Sequence, residues 1–241
     1  MGMMNAVAVL GVIIMIVMYI PINRFLRDRK MFMEQSGAEM RSRNRKNKTK
    51  ARVSVASPVT SQDRAIGLTI FVAAMIAAFI VRVVMGGIYH GHEYDMNCFI
   101  AWADMAYKDG LSNFYISEAF TDYPPGYIYI LYVIGWLRDV FHIAWNSVTS
   151  DILTKMPAML ADLGTGYLIY RVASKKFREL GAAFLSMLYL FCPLVILDSA
   201  VWGQTDSVFT FFVVLMCYLV SEKKLIPSYY VFAIAVLIKP Q

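Results

Sequence analysis

The sequence predicts an all-α protein that crosses a membrane several times. Of the 241 residues, 59% are hydrophobic and 17% are charged, and the mean hydropathy is +0.53, which does not fit a soluble globular chain. A hydrocarbon core of about 30 Å is crossed by roughly 20 helical residues. Continuous apolar stretches that are candidate spans occur at 3–22, 65–87, 152–170, 181–199, 207–221 and 225–238, the last two being short. Because they do not alternate with polar residues, a porin-like β-barrel is excluded.

The first span, in residues 1–22, is followed by a strongly basic loop, residues 23–64. Twelve of the 23 basic residues fall in this loop, so the positive-inside rule places it in the cytoplasm and the amino terminus outside. No basic residue precedes the span, which favours an uncleaved anchor over a signal peptide. From Gln35 to Gln62 the loop is poor in large apolar residues, and we expect it to be disordered. Its charge therefore indicates topology and contact with membrane lipids, and no nucleic-acid partner is expected.

The segment 88–151 is acidic and is predicted to form a long outer loop. It has eight acidic residues against two basic ones. Pro125 to Leu137 within it is apolar but short for a span, and if it crossed, the basic clusters at 171–178 and 223–224 would lie outside. We therefore predict an interfacial helix there, with aromatic rings at the level of the lipid headgroups. These rings belong to Tyr127, Tyr129, Tyr132, Trp136, Phe141 and Trp145.

Under this topology the polar motifs between the spans share one face of the membrane. The span 152–170 runs inward, 181–199 outward, 207–221 inward and 225–238 outward. The motifs predicted to lie outside are His92-Glu93-Tyr94-Asp95, Asp122-Tyr123-Pro124-Pro125-Gly126, Lys155-Met156-Pro157, Trp202-Gly203-Gln204-Thr205-Asp206 and Lys239-Pro240-Gln241.

Carboxylates and lysines on one outer face suit group transfer from a lipid-linked phosphate. A carboxylate accepts the proton of an acceptor hydroxyl, and Lys155 or Lys239 stabilises charge on a departing phosphate. Asp95 and Asp206 are the favoured acids, because an ionised group close to a span is costly without a role. Three further acids of the outer loop are interpreted as solvated charges, namely Asp104, Asp109 and Glu118.

Three charged residues, Arg82, Asp162 and Asp198, fall in or near apolar stretches, so each is expected to pair or to line a polar cavity. The three histidines, at positions 90, 92 and 142, do not have the spacing of a zinc site. A divalent ion held by Asp95 with other acids is the favoured metal hypothesis, because hard cations take oxygen ligands. Three cysteines predict no disulfide framework, and no nucleotide-binding glycine loop follows a strand.

Taken together and in order, these motifs resemble those of the GT-C membrane glycosyltransferases. The motifs that carry the likeness are Glu93-Tyr94-Asp95 with Phe99 and Trp102, Tyr123-Pro124-Pro125-Gly126-Tyr127, Lys155-Met156-Pro157-Ala158, Trp202-Gly203-Gln204-Thr205-Asp206-Ser207 and Lys239-Pro240-Gln241. The closest likeness is to the prokaryotic relatives of the GPI-anchor mannosyltransferase, with a more distant one to the glucosyltransferases that extend dolichol-linked oligosaccharides. It covers residues 65–241, five motifs in order being more specific than any one of them.

The resemblance implies a GT-C-like helical core with interfacial helices in the outer loop, and an enzyme of the plasma membrane with its active site on the extracytoplasmic face. The donor would be a polyprenyl-phosphate-linked sugar, with mannose favoured, and the acceptor a glycan, a lipid or a protein. Asp95 would be the general base of an inverting transfer, with Glu93 and Asp206 as further acidic candidates and either Asp95 or Asp206 as a metal ligand. Residues implied around the substrates are Tyr123, Pro124, Lys155, Trp202, Gln204, Lys239 and Gln241.

The sequence departs from the family pattern at both ends. The anchor 1–22 and the basic loop 23–64 are additions, and the chain stops at Gln241, directly after a motif that usually sits mid-protein, so an incomplete chain is expected. A non-catalytic membrane scaffold or inactive fragment is therefore an alternative. A transporter or lipid flippase is another, although such proteins place titratable groups at the bilayer midplane within paired repeats, and no repeat is visible.

Overall fold

A computed structural model describes residues 61–116 and 120–239 of the chain. The predicted anchor 1–22 and nearly all of the basic loop 23–64 lie outside the described residues. Glu118 and Gln241, which the sequence singled out, lie outside them as well.

The described residues are almost entirely helical and include no β-strand, so the predicted all-α class is confirmed. The helices are α1 Ser61–Ile88, α2 Glu93–Lys108, α3 Pro125–Val140, α4 Val148–Ala173, α5 Glu179–Leu190, the short α6 Pro193–Ile196, a π-helical segment Leu197–Trp202, α7 Asp206–Ser221 and α8 Leu225–Ile238.

Local sequence explains where α3 and α4 begin. Pro124 is extended and Pro125 occupies the first turn of α3, where proline's fixed φ and missing N–H cost nothing. Ser147 caps α4 by accepting a hydrogen bond from the Ser150 N–H at 3.1 Å, and Asp151 in the first turn suits the positive end of the helix dipole. Both helix starts therefore follow from residue type alone.

One helix of the described residues, α1 over Gln62–Ile88, is long and apolar enough to cross a membrane. The pair formed by α5 and the segment Pro193–Trp202, bent by 50°, would be a second only if it is one broken span. The helices α7 and α8 are apolar but shorter. Although α4 has 26 residues, Lys155 and Asp162 lower its hydropathy. The full set of predicted spans therefore stays a prediction.

Large apolar side chains cover the outside of α1 and α8. Ile76 and Ile80 of α1 are 56% and 55% exposed, and Tyr229 and Tyr230 of α8 are each 70% exposed. Apolar surface of this extent is unusual on a protein surrounded by water. It suits helices that contact lipid.

The charged residues of the apolar stretches pair inside the helical core. Arg82 and Asp162 have no exposed side-chain surface, and Arg82 Nε donates to Asp162 Oδ2 at 2.9 Å. Arg82 Nη1 also donates to the Leu190 carbonyl at 2.9 Å, and Ser199 Oγ donates to Asp162 at 2.6 Å. The expectation that a charged residue here pairs or lines a polar cavity is confirmed for Arg82 and Asp162, which pair with each other, whereas Asp198 is only partly buried.

Contacts between the connecting segments distinguish the two ends of the helical bundle in the described region. At one end the α4–α5 and α7–α8 connections meet, because Lys175 Nζ bonds Glu222 Oε1 and lies 5.3 Å from the centre of the Tyr218 ring. At the other end His90, just after α1, contacts Asp151 at the start of α4. The basic clusters 171–178 and 223–224, which charge bias assigned to one side, thus lie at one end of the bundle.

Helices α2 and α3 of the segment 88–151 pack side by side. A Cβ on Gly135 of α3 would stand 2.1 Å from the Ala103 carbonyl oxygen of α2, so the two backbones approach where glycine permits it. Tyr129 and Trp136 of α3 are exposed, as expected for an interfacial helix, but Tyr127 is 2% exposed and packs against Phe99. The prediction that Tyr127 lies at the headgroup level is wrong, because this ring belongs to the core.

Candidate functional site

Asp95 lies in the first turn of α2 and is held by side chains from a distant part of the chain. Its Oδ2 accepts hydrogen bonds from Trp202 Nε1 at 3.1 Å and from Gln204 Nε2 at 2.5 Å. His92 Nδ1 lies 3.2 Å from the same oxygen, and about a quarter of the Asp95 side chain remains exposed. The carboxylate is thus fixed in direction and still open to a reactant.

The backbone around Trp202 brings this segment against α2. The π-helical segment ends at Gly203, which has φ +90°, and the N–H groups of Gly203 and Gln204 both donate to the Asp198 carbonyl oxygen at 3.0 Å. Positive φ is the ordinary end of a helix and favours glycine. His92 completes the contact, because its N–H donates to the Trp202 carbonyl at 2.9 Å and its ring stacks on the indole with centroids 5.1 Å apart.

Gly91 allows that close approach. Its φ is +108°, and a Cβ there would stand 2.4 Å from the Trp202 carbonyl oxygen. Any other residue would have to adopt a disfavoured backbone conformation and push Trp202 away. The position of Trp202 beside Asp95 therefore depends on a glycine that the sequence motifs do not include.

A second polar centre lies where α7 begins and α8 ends. Lys239 Nζ lies 2.5 Å from Asp206 Oδ1, and the Tyr123 hydroxyl lies 3.2 Å from Thr205 Oγ1. Burial is the largest single influence and works against a charged Lys239, but the hydrogen bond to Asp206 together with the neighbouring acidic groups outweighs it, so the pKa of Lys239 lies above its ordinary value. Burial raises the pKa of Tyr123, which keeps its hydroxyl neutral.

Aromatic rings connect the two centres. Phe99 of α2 meets Tyr123 edge-on at 5.4 Å and Trp102 at 5.8 Å between centroids, and Tyr127 meets both Phe99 and Tyr123. Trp102 Nε1 also donates to the Phe120 carbonyl at 2.9 Å. The helix that carries Asp95 and the turn that carries Tyr123 and Pro124 therefore belong to one packed cluster.

Lys155 occupies a different position from the one the resemblance implies. Its side chain is 1% exposed, and Nζ donates to the Gly86 carbonyl at 3.3 Å and to the Tyr89 carbonyl. The carbonyls at the end of a helix otherwise lack partners. In this structure the Lys155 ammonium group provides hydrogen bonds to carbonyls at the end of α1, and the side chain packs next to Gly203. The group therefore faces the backbone and not an open site.

Glu93 faces a polar cleft on the other side of the start of α2. The cleft has a volume of about 800 Å³ and is lined by His90, Gly91, Glu93, Asn97, Trp145, Asn146, Ser147, Val148 and Asp151. His90 Nδ1 lies 2.8 Å from Asp151 Oδ1. Sequence reasoning weighed His90 only as a zinc ligand and did not single out Asp151, and no local signal connects two residues 61 positions apart.

The carboxylates do not fit the metal hypothesis. Asp95 Oδ2 is met by N–H donors from Trp202 and Gln204, and Asp206 Oδ1 by the ammonium of Lys239, so each of these oxygens already has a donor or a cation where an ion would bind. Within residues 61–116 and 120–239 there is no cluster of three or more His, Cys, Asp or Glu side chains suited to an ion. We therefore derive no step through a metal.

Comparisons of the chain with protein-family models, with curated proteins and with solved structures gave no match. The function is therefore inferred from the geometry around Asp95 and from the likeness of the motifs.

Proposed function

We propose that the chain is a multi-pass membrane glycosyltransferase of the GT-C type, acting on the extracytoplasmic face of the plasma membrane. It transfers a sugar, with mannose favoured, from a polyprenyl-phosphate donor to a hydroxyl of a lipid, glycan or protein acceptor, and Asp95 is the general base. The exposed apolar surface of α1 and α8 supports a membrane location.

One observation carries the proposal. Two motifs of the resemblance, Glu93-Tyr94-Asp95 and Trp202-Gly203-Gln204, are separated by more than 100 residues and meet at a single carboxylate oxygen. Groups that act on one reacting atom must converge in this way. The likeness rests on the order of the motifs and on their predicted place on one face of the membrane, neither of which states which side chains meet, so the contact of these two motifs supports it.

The chemistry requires a base and a stabiliser of negative charge. As the acceptor oxygen bonds to the anomeric carbon, its proton passes to the Asp95 carboxylate, and the bond between the sugar and the phosphate breaks with its electron pair on the phosphate. Attack from the face opposite to the phosphate inverts the anomeric centre. Polyprenyl phosphate leaves.

Lys239 is the better placed of the two lysines to stabilise the departing phosphate. Its side chain is 23% exposed, and its charge lies close enough to the Tyr123 hydroxyl to favour the ionised form of that group. Lys155 is buried and its protons are directed to backbone carbonyls. A cation near the leaving oxygen lowers the barrier most when it is already in position.

The test compares Asp95, in the first turn of α2, with Asp109, directly after the end of that helix. The full chain is purified in lipid nanodiscs, and transfer from radiolabelled polyprenyl-phosphate mannose or glucose into a membrane lipid and glycan extract is measured. Asp95→Asn should lower the transfer rate by about 10²–10⁴-fold, whereas Asp109→Asn, an exposed change at the end of the same helix, should not alter it.

Two outcomes would contradict the proposal. Unchanged transfer by Asp95→Asn, with a melting profile like that of the native chain, would remove Asp95 as the base. No transfer by the native chain from either donor would instead favour the non-catalytic scaffold or the transporter.

A further inference from the structure

A groove with two adjacent halves, one polar and one apolar, lies along α2. The polar half is the cleft of about 800 Å³ that includes Glu93. The apolar half has a volume of about 440 Å³ and is lined by Tyr94, Asn97, Cys98, Ala101, Trp102, Met105, Phe120 and Trp145. Asn97 and Trp145 belong to both halves, so the two halves adjoin at these residues. Asp95 lines neither half.

The polar half has the partners that sugar hydroxyls need. Asp151 is 8% exposed, and its Oδ1 lies 2.8 Å from His90 Nδ1. Because a carboxylate accepts hydrogen bonds, the proton of the neutral His90 ring lies on Nδ1, and Nε2 remains as an acceptor. Glu93 adds two acceptor oxygens, and the amide of Asn97 both donates and accepts. Planar groups that donate and accept match a ligand carrying several hydroxyls.

Trp145 lines both halves of the groove and is supported from one side. The guanidinium carbon of Arg138 lies 5.3 Å from the centre of the Trp145 ring. Arg138 is itself 5% exposed and bonds Asp104 Oδ1 at 2.6 Å, so the cation beneath the indole is held in place. An indole supported on one face presents its other apolar face to the CH groups of a sugar or to a hydrocarbon chain.

The apolar half favours hydrocarbon over any charged group. Its walls are Trp102, Met105 and Phe120 with the small side chain of Ala101, and burial raises the pKa of the Cys98 thiol, which stays uncharged at neutral pH. Burial of a methylene group in such a groove contributes about 0.8 kcal/mol. The groove thus offers apolar contacts to a chain joined to whatever the polar half binds.

We propose that this groove binds an amphiphile, with a headgroup bearing sugar-like hydroxyls at His90 and Asp151 and a hydrocarbon chain along α2 past Trp145. The inference rests on the proposed function only in naming this amphiphile as the acceptor. A lipid acceptor would then be bound on the same helix that carries the base.

The test measures binding, so it does not depend on transfer. The full chain in nanodiscs is titrated with a radiolabelled short-chain alkyl mannoside, and empty nanodiscs correct for partition into lipid. Methyl mannoside supplies the headgroup alone, and an alkyl phosphocholine of equal chain length supplies the chain without hydroxyls. The alkyl mannoside should bind saturably and at least tenfold more tightly than either comparator.

Variants at each half identify the site. Ala101→Glu places a charge on an exposed position of the apolar half and should weaken binding at least tenfold. Lys108→Ala changes the net charge equally on the same helix, outside the groove, and should have no effect. His90→Ala should weaken binding by about three- to tenfold, the loss of one neutral hydrogen bond. A bromine on the alkyl chain should quench tryptophan fluorescence, and Trp145→Phe should reduce that quenching.

The outcomes separate this inference from the proposed function. Binding that survives in Asp95→Asn and falls in Ala101→Glu supports the groove even if no transfer is found. Transfer to a lipid acceptor that Ala101→Glu leaves unchanged would overturn the groove while the enzyme assignment stands. Equal binding of the alkyl phosphocholine, or no binding above that of empty nanodiscs, would also overturn it.

Discussion

Replacing the buried Asp162 by asparagine tests the core ion pair most directly. The change keeps the shape of the side chain and removes its charge. Arg82 would then be a buried cation whose guanidinium contacts only the Ala78 and Leu190 carbonyls and an amide. A charge without its counter-charge is expensive in the interior of a protein.

The expected cost follows from the partners of the pair. Asp162 accepts from Arg82 at 2.9 Å, from Ser199 at 2.6 Å and from Tyr189 at 3.3 Å, and both charged side chains are fully buried. Removing one member of a buried pair typically costs about 3–5 kcal/mol, because it leaves the other uncompensated. That lowers the folding constant by roughly a hundredfold or more.

The assay is reversible unfolding of the purified chain in mixed detergent micelles. Asp162→Asn and Arg82→Met are each expected to be strongly destabilising, whereas the double variant, which leaves no buried charge, should cost less than the sum. Asp139→Asn is the control, since Asp139 is exposed and accepts one hydroxyl contact, from Tyr107 at 3.2 Å. That change should cost less than about 1 kcal/mol.

One result would refute the reasoning. If Asp162→Asn unfolds like Asp139→Asn, or if the double variant costs the full sum of the singles, Arg82 and Asp162 do not act as a coupled pair.

Three further predictions concern the site and the topology. Gly91→Ala should destabilise the chain more than Gly110→Ala, because both glycines have positive φ but only at Gly91 would a Cβ meet the Trp202 carbonyl, at 2.4 Å; equal unfolding free energies would contradict this. Gln204→Leu removes a hydrogen-bond donor to the Asp95 carboxylate. It should lower the transfer rate by roughly 10–100-fold, which is what a hydrogen bond to a charged group typically contributes. An unchanged transfer rate would contradict this prediction. On a cysteine-free background, a membrane-impermeant thiol reagent added outside should label Ala144→Cys and not Lys176→Cys, both exposed positions; the reverse labelling would reverse the proposed orientation.

The choice of positions for such labelling depends on side-chain exposure, which the sequence does not give. Ser207 looks suitable from its place beside a span, but it is 5% exposed, so failure to label it would report burial and not sidedness. Exposure depends on which helices cover a position, and the order of residues does not state that.

Several features follow from the sequence because their causes are local. Proline at position 125 begins α3, Ser147 caps α4, and continuous apolar runs predict helices. The charge bias, a property summed over whole loops, assigns the clusters 171–178 and 223–224 to one side, and the two connections do contact each other through Lys175 and Glu222. That this side is the cytoplasm stays a prediction.

The tertiary structure alone decided which polar groups meet. Trp202 and Gln204 donate hydrogen bonds to Asp95 from more than 100 residues away. His90 contacts Asp151. Lys155 donates to a backbone carbonyl of α1, and no residue type in the sequence indicates that this carbonyl needs a partner. A charged residue in an apolar stretch indicates that a partner exists, because burying a charge without one is costly. Which partner it finds depends on how the helices pack, and packing is set by contacts between side chains far apart in the chain.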